Sequence, residues 1–459
     1  MASEEREQLF TRDRRRVVAA SFIGTTLEWY DFFLYGAAAA LVFPPLFFPG
    51  ESDTVGTLLA FSTYAAGFFA RPVGGLVFGH FGDRVSRRNM LIISITMMGI
   101  ATFLIGCLPT FDTIGVAAPI LLVLLRIVQG FGVGGEWGGA VLMSTEYAPK
   151  GRRGLFGSFV QLGVPAGLFL STVIFLATDA VFSEEALFAF GWRIPFLISL
   201  LLVAVGLFIR LRVLESPVFA ELKEKDEEPE ANIPLVQTFK SEKRSIATTI
   251  AARIGENALF YLFTVFVLEY GEAELGLPRS ELLIAVIVAS FIGLFTVPFF
   301  ASLSDRVGRR PVYLFGAIVS IFFSFAYIGL LDTGSILLIV LATVIGLNVV
   351  HDAQYGPQAA FFAESFGTRT RYTGASIGYQ LAAPLGGGIA PIIATALIAT
   401  GESGPLYVAI YMAAMSLITV IGVLAAKETY QSDMAEDVRP ARAMASGQPG
   451  PATGGGGGS

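Results

Sequence analysis

Leu27-Glu28-Trp29-Tyr30-Asp31-Phe32-Phe33-Leu34-Tyr35-Gly36 decides how the chain is read. It lies inside an apolar run from Val17 to Phe48, long enough for a membrane-spanning helix. Two acids interrupt that run. A carboxylate at mid-membrane costs roughly 2.5–3.5 kcal/mol on insertion scales, so it reads as functional, with a partner elsewhere. Glu28 and Asp31 are three residues apart and share one helix face. The rest of the chain has to give that face a countercharge and a polar cavity.

Composition agrees with a membrane setting. Of 459 residues, 54% are hydrophobic and only 15% charged, against about 25% charged in soluble domains. Mean hydropathy is +0.67. The lone Cys107 excludes a disulfide framework or cysteine metal site, and two histidines leave little for a His-ligated metal. A net charge of −6 is uninformative about nucleic acid in a chain mostly out of water, and no nucleic-acid partner is expected. The first sixteen residues carry both charge signs and no apolar core, unlike a secretory signal. The Gly-, Pro- and Ala-rich stretch from Arg439 reads as disordered.

Twelve apolar spans are expected, at 17–47, 55–80, 89–109, 116–146, 153–178, 191–212, 246–270, 281–303, 311–331, 335–362, 372–399 and 405–427. They divide the chain into an N-terminal tail (1–16), a six-helix half (17–213), a charged linker (214–245), a second six-helix half (246–427) and a disordered tail (428–459). On the side holding the N-terminus, five loops and the tail carry 23 of the 31 basic residues. The opposite loops carry only Arg193 and Arg279. That asymmetry predicts both termini in the cytoplasm, in the plasma membrane of a prokaryote. One copy suffices for this architecture, with lipid as its surroundings.

The halves repeat. Asp83-Arg84-Val85-Ser86-Arg87-Arg88 follows the second span, and Asp305-Arg306-Val307-Gly308-Arg309-Arg310 follows the eighth, 222 residues later. Two such halves predict an all-α secondary transporter with its site between them, near the midplane. The two Asp-Arg-x-x-Arg-Arg loops resemble the signature loop of the major facilitator superfamily. The Leu27–Gly36 stretch, Gly134-Gly135-Glu136-Trp137-Gly138-Gly139, Gly191-Trp192-Arg193-Ile194-Pro195-Phe196 and Arg371-Tyr372-Thr373-Gly374-Ala375-Ser376 resemble its metabolite:proton symporter family. That family includes shikimate, α-ketoglutarate, citrate and proline/betaine transporters. Arg253-Ile254-Gly255-Glu256 and Asn348-Val349-Val350-His351-Asp352 are most similar to the shikimate branch, whereas Tyr355-Gly356-Pro357-Gln358-Ala359-Ala360-Phe361 follows the general family pattern. In the second signature loop Ala301 stands where the first copy has Gly79, which predicts looser packing there.

Candidate site residues follow from charge and spacing. Arg126, with Gln129 on its face, offers a planar fork for a carboxylate, either Asp31 or Glu28 in the empty site or Glu136 or substrate otherwise. Asp31, then Glu28 or Glu136, are candidate proton-coupling groups, because burial and a nearby arginine act on a carboxyl in opposite senses. Arg253 and Glu256, with Asn257 beside them, either neutralise one another or give the second half its own anion contact. Asn348, His351 and Asp352 form a polar cluster in the tenth span, with His351 a candidate relay and Asp352 a candidate partner for Arg253. Tyr30, Trp137, Gln161, Tyr379 and Gln380 are candidates for the substrate lining. Arg71, opening Arg-Pro-Val-Gly-Gly, is expected to be tied to carbonyls or an acid. Asp83, Arg84, Arg87, Asp305, Arg306 and Arg309 are candidate gating residues, with the aspartates near helix N-termini.

Gly130-Phe131-Gly132-Val133-Gly134-Gly135 satisfies G-x-G-x-x-G but follows no strand, so it carries no dinucleotide reading. No G-x-x-x-x-G-K-[ST] exists. The expectation is therefore a proton-driven importer of a small organic anion, shikimate-like, that is not an enzyme and uses neither nucleotide, metal nor cofactor. A di- or tricarboxylate or a betaine-type osmolyte is the alternative substrate. Leu214-Glu215-Ser216-Pro217 partly resembles a sugar-porter motif, against which the Glu28–Asp31 stretch argues. A membrane sensor is the alternative outside transport.

Overall fold

The computed structural model describes residues 2–84, 87–134, 137–146, 148–149, 151–211, 241–367 and 370–432. It is all-helical over those residues and builds twelve columns: α1 (Ala2–Leu41), α2 (Asp53–Arg84), α3 (Arg87–Cys107), α4 (Ala117–Val133 and Trp137–Glu146), α5 (Arg153–Val181), α6 (Arg193–Leu211), α7 (Lys243–Ala273), α8 (Arg279–Val307), α9 (Arg309–Leu331), α10 (Ile336–Glu364), α11 (Arg371–Ala383, Pro384–Gly388 and Ala390–Ile398) and α12 (Gly404–Ala425). Eight are each long and apolar enough to cross a membrane on their own. Short connections make neighbouring columns antiparallel. The N-terminal tail is continuous with α1 as helix. The linker from 212 to 240 lies outside the described residues.

Helix regularity breaks where the sequence is small or polar. α5 is interrupted at Leu162, beside the Gly163–Gly167 stretch around Pro165. π-helical turns occur at Leu262–Phe266 in α7, Gly346–His351 in α10 and Pro384–Gly388 in α11. Such turns redirect side chains and are frequent at functional sites.

Within the first half, α1 packs on α5, α2 on α4, and α3 on α6; within the second, α7 and α9 pack on α12, and α8 on α10. Across the halves, α5 meets α8 and α10, and α2 meets α11. Glycines set how closely helices approach. A Cβ at Gly130 would stand 2.0 Å from the Gly67 carbonyl oxygen, so α2 and α4 touch backbone to backbone.

The two halves are fastened at both faces. On the N-terminal face, Asp305 caps the start of α5, accepting from the backbone N–H of Gly154 at 2.8 Å and Leu155 at 2.9 Å. Arg309 holds Asp305 at 2.7 Å and grips Glu364 with two bonds of 3.1 Å, and Arg153 stands 3.7 Å from Glu364. The expected looser packing at Ala301 is not found. A Cβ at Gly154 would lie 2.5 Å from the Ala301 carbonyl oxygen, and one at Gly356 would lie 2.9 Å from the Ala301 nitrogen. The partner helices supply the missing glycine.

Arg306 is a correction: it is exposed and joins no ion pair among the described residues. The side chains of Asp83, Arg84 and Arg87 lie outside the described residues. The segment assigned to a disordered tail begins with structure. Glu428 accepts from the backbone N–H groups of Arg309 and Arg310 at 2.9 Å, and Thr429 donates to Glu364 at 2.9 Å. Gly308 permits that cap through a left-handed φ of +107°. On the opposite face Arg279 of α8 pairs with Glu272 of α7 at 2.7 Å and with Asp179 of α5 at 3.4 Å, across the halves.

Two outcomes follow. Gly130→Ala should lower the detergent melting temperature by at least about 5 °C through overpacking, while Gly329→Ala, whose Cβ would meet nothing within 4 Å, should leave it unchanged. In a Cys107→Ser background carrying Ala359→Cys, buried between α10 and α5, Asp305→Ala should speed labelling by an impermeant maleimide from the N-terminal face about tenfold. An unchanged rate would remove Asp305 from the closure.

Candidate functional site

Arg126 is fully buried at the middle of α4. Gly67 makes room for it, since a Cβ there would stand 2.6 Å from Nε. Its Nη1 donates to Gln129 Oε1, and Nε to the Tyr64 carbonyl at 3.4 Å. The guanidinium lies over three rings, with Cζ 4.1 Å from the Phe32 centroid, 4.3 Å from Tyr35 and 4.6 Å from Tyr64. Its Nη2 has no hydrogen-bond partner.

The expected pairing of Arg126 with Asp31 or Glu28 is not made. Gln129 instead donates to the backbone carbonyl of Asp31 at 3.3 Å and to Thr102 at 2.8 Å. Asp31 is buried in the same half, and its Oδ1 finds no partner. The aromatic stripe of α1 explains the separation: Phe32 and Tyr35 occupy the guanidinium faces and keep it off the carboxyl. Glu28 is also buried. Glu136 lies outside the described residues.

Arg71 departs from its expectation too. Neither Nε nor Nη1 meets a carbonyl or an acid. Its Cζ stands 5.1 Å from Trp29, 5.1 Å from Phe32 and 5.6 Å from Phe68.

The second half holds a connected polar network. His351, on the π-helical turn of α10, places Nε2 2.8 Å from Glu256 Oε1 and Nδ1 2.9 Å from Asp352 Oδ1. The far oxygen of Glu256 accepts from Gln358 at 3.0 Å and faces Arg253 at 3.4 Å. Arg253 donates to Gln358 at 2.5 Å, and Gln358 reaches Tyr313 at 2.9 Å. The far oxygen of Asp352 accepts from Thr296 and, at 3.3 Å, from Asn348.

Three readings are corrected here. Arg253 pairs with Glu256, not with Asp352, and both helices belong to the same half. The oxygens of Glu256 are taken by cations and donors, so it is a network carboxylate and not a substrate contact. Asn348 serves α8 and Asp352, donating to the Ala289 carbonyl at 3.0 Å.

Between the halves, on the N-terminal side of these groups, runs an aromatic seam. Arg253 lies 3.3 Å over the Tyr379 ring, and Tyr379 stacks on Trp137 at 3.6 Å and 15°. Trp137 donates to Gln161 at 3.0 Å, Gln161 donates to the Tyr355 carbonyl at 3.3 Å, and Gln380 donates to the Gly134 carbonyl at 2.9 Å. On the other side Phe33 meets Phe260 at 5.5 Å, and Phe68 meets Tyr261 edge-on at 5.1 Å. Closure on both sides makes this an occluded arrangement.

Tyr30 is not part of the seam. Its hydroxyl donates to the Pro195 carbonyl at 2.7 Å, inside the first half. Asn257 is also committed elsewhere, its oxygen accepting from the Gly387 N–H at 2.9 Å in the α11 π-helical turn. Sequence reasoning gave no role to Gln358, Thr296, Tyr313 or Thr102. Their one signal was a polar side chain within an apolar span. Asp179, Glu272 and Glu364 escaped because their partners are distant in sequence.

The model of the Major Facilitator Superfamily matches residues 21–391 and 272–442. The shikimate transporter of Escherichia coli K12 is 42% identical over 418 residues, covering 91% of this chain and 95% of that protein. An inner membrane metabolite transport protein of the same organism, YhjE, is 40% identical over 93% of this chain and 97% of its own length. The proline/betaine transporter of E. coli K12 is 33% identical over 88% and 82%. Among solved structures, the partially occluded inward-open xylose transporter XylE from E. coli superposes with a TM-score of 0.70 at 18% identity, covering 92% of this chain and 99% of that one. With a family match along most of its length and relatives 40% and 42% identical over more than nine-tenths of it, the chain belongs to the Major Facilitator Superfamily and is a multi-pass membrane transporter, not an enzyme.

Proposed function

We propose that the chain is a proton-coupled symporter that imports a small organic acid, a shikimate-like cyclic monocarboxylate, by alternating access. It needs no cofactor, and the proton gradient is its energy source. It sits in the inner membrane of a prokaryote with both termini cytoplasmic.

The observation that carries this reading is the Glu256–His351–Asp352 group. A neutral imidazole donates from one nitrogen and accepts at the other, while ionised carboxylates only accept. Contacts of 2.8 and 2.9 Å to two carboxylates therefore require one additional proton in the group. The remaining carboxylate oxygens already accept from Gln358, Thr296 and Asn348, which favours the imidazole as its holder. With that proton, His351 and Arg253 balance Glu256 and Asp352. Without it, one contact fails and the network is left with an uncompensated negative charge. Such a group is suited to taking up and releasing a proton as the halves rock.

The anion is assigned to the first half, where Arg126 keeps one unpartnered nitrogen beside aromatic rings that suit a ring-shaped substrate. Asp31, buried in the same half, is the second candidate for coupling. A di- or tricarboxylate is the alternative, favoured by three buried arginines near the midplane. Relatives named as a shikimate transporter and a proline/betaine transporter support a small organic substrate.

The test is uptake of labelled shikimate by proteoliposomes under an inward proton gradient. Accumulation should collapse with a protonophore. His351→Gln should abolish gradient-driven accumulation while leaving counterflow at equal pH within about threefold of the parent. Loss of both activities together, in a variant that still folds, would remove His351 from the coupling step. No shikimate uptake by the parent, with uptake of α-ketoglutarate, citrate or betaine, would replace the substrate and keep the transporter.

A further inference from the structure

We propose that Arg71 is the second arm of the anion site: Arg71 and Arg126 stand over the same Phe32 ring and clamp one substrate carboxylate between them. The inference rests on the organic-acid reading above and names a residue that reading does not need.

Arg71 is 1% exposed. A guanidinium that deep is costly unless a carboxylate, carbonyls or aromatic faces answer it. Among the described residues only aromatic faces do, from Trp29, Phe32 and Phe68 at 5.1–5.6 Å. Nε and Nη1 both lack a partner. Each can give a carboxylate oxygen a charge-assisted hydrogen bond. Arg126 presents its own unpartnered Nη2, and its Cζ lies 4.1 Å from the Phe32 centroid. One ring thus contacts two cations, each with donors to spare.

The other edges of the place fit a hydroxylated acid. Tyr261, from the second half, packs on Phe68 and Phe32 at 5.1 and 6.3 Å. The Tyr64 hydroxyl, from the first half, lies beside the Tyr261 hydroxyl, and neither makes a well-formed hydrogen bond to any other group. An anion held by α2 and α4, with hydroxyls reaching α7, touches both halves at once. The ligand class is a compact carboxylate with hydroxyl groups on the far side of its ring.

The pairing also separates two jobs. Arg253 leaves its Nε unpartnered but is ion-paired with Glu256, bonded to Gln358 and stacked on Tyr379, which ties it to the proton group. Arg71 and Arg126 face no ionised partner among the described residues and are left for substrate.

The experiment is counterflow of labelled shikimate at equal pH in proteoliposomes, with methyl shikimate as neutral competitor. Arg71→Lys keeps the charge and loses the fork, and should raise KM about tenfold with the maximal rate within about twofold. Arg71→Gln should raise KM at least about 30-fold. In both, the preference for acid over ester should shrink by the same factor, which general damage to the fold would not produce. If Arg71→Gln does not fold, Arg71→Lys and the acid-to-ester ratio still decide. An unchanged KM, or acid and ester weakened equally, would overturn the clamp while organic-acid transport stands. If the parent carries betaine and no carboxylate, the organic-acid reading falls first and the clamp's ligand with it.

Discussion

A guanidinium withdrawn from water costs several kcal/mol unless its surroundings answer it. Three of them near the midplane set the terms for the rest of this structure. Arg253 is answered by an anion, an amide and a ring: Glu256, Gln358 and Tyr379. Arg126 is answered in part, by Gln129, a carbonyl and three rings. Arg71 is answered by rings alone. The gradient from ion-paired to unpaired follows the division of labour proposed for them. In that proposal the second half stores the proton and the first half waits for the anion.

Both closures depend on charges placed where they can be released. Asp305 uses backbone donors at a helix start, so the same carboxylate answers Arg309 within its half and α5 across the halves. Arg279 does the equivalent on the opposite face with Asp179 and Glu272. Each contact consists of a few directed polar bonds between the halves. Glycines at the tight crossings leave the backbones close enough to slide.

The fold was legible because hydropathy, the Lys/Arg asymmetry and the repeated Asp-Arg-x-x-Arg-Arg loop are properties of the chain alone. Helix ends came within a few residues for most columns. The site was legible as a list of polar residues but not as pairs. Arg126 and Asp31 are on facing helices, yet Phe32 and Tyr35 come between them, and no spacing rule reports a ring in the way. Arg253 and Asp352 were matched by charge, while the π-helical turn at Gly346–His351 swings His351 onto Glu256 and turns Asp352 toward Thr296. Tyr30 and Asn257 looked like lining because they are polar and flank charged positions. Each spends its polar atoms on a backbone group nearby. Ala301 looked like a defect until Gly154 and Gly356 were seen to supply the space from the other helices.

The central claim is that a proton enters with the anion through a group that holds it on His351. The direct measurement is lumenal pH, read with a trapped dye in proteoliposomes of the purified protein, after adding shikimate outside with no gradient imposed. The account predicts saturable acidification of the lumen that tracks labelled shikimate entry. Entry of shikimate with no accompanying acidification would contradict it.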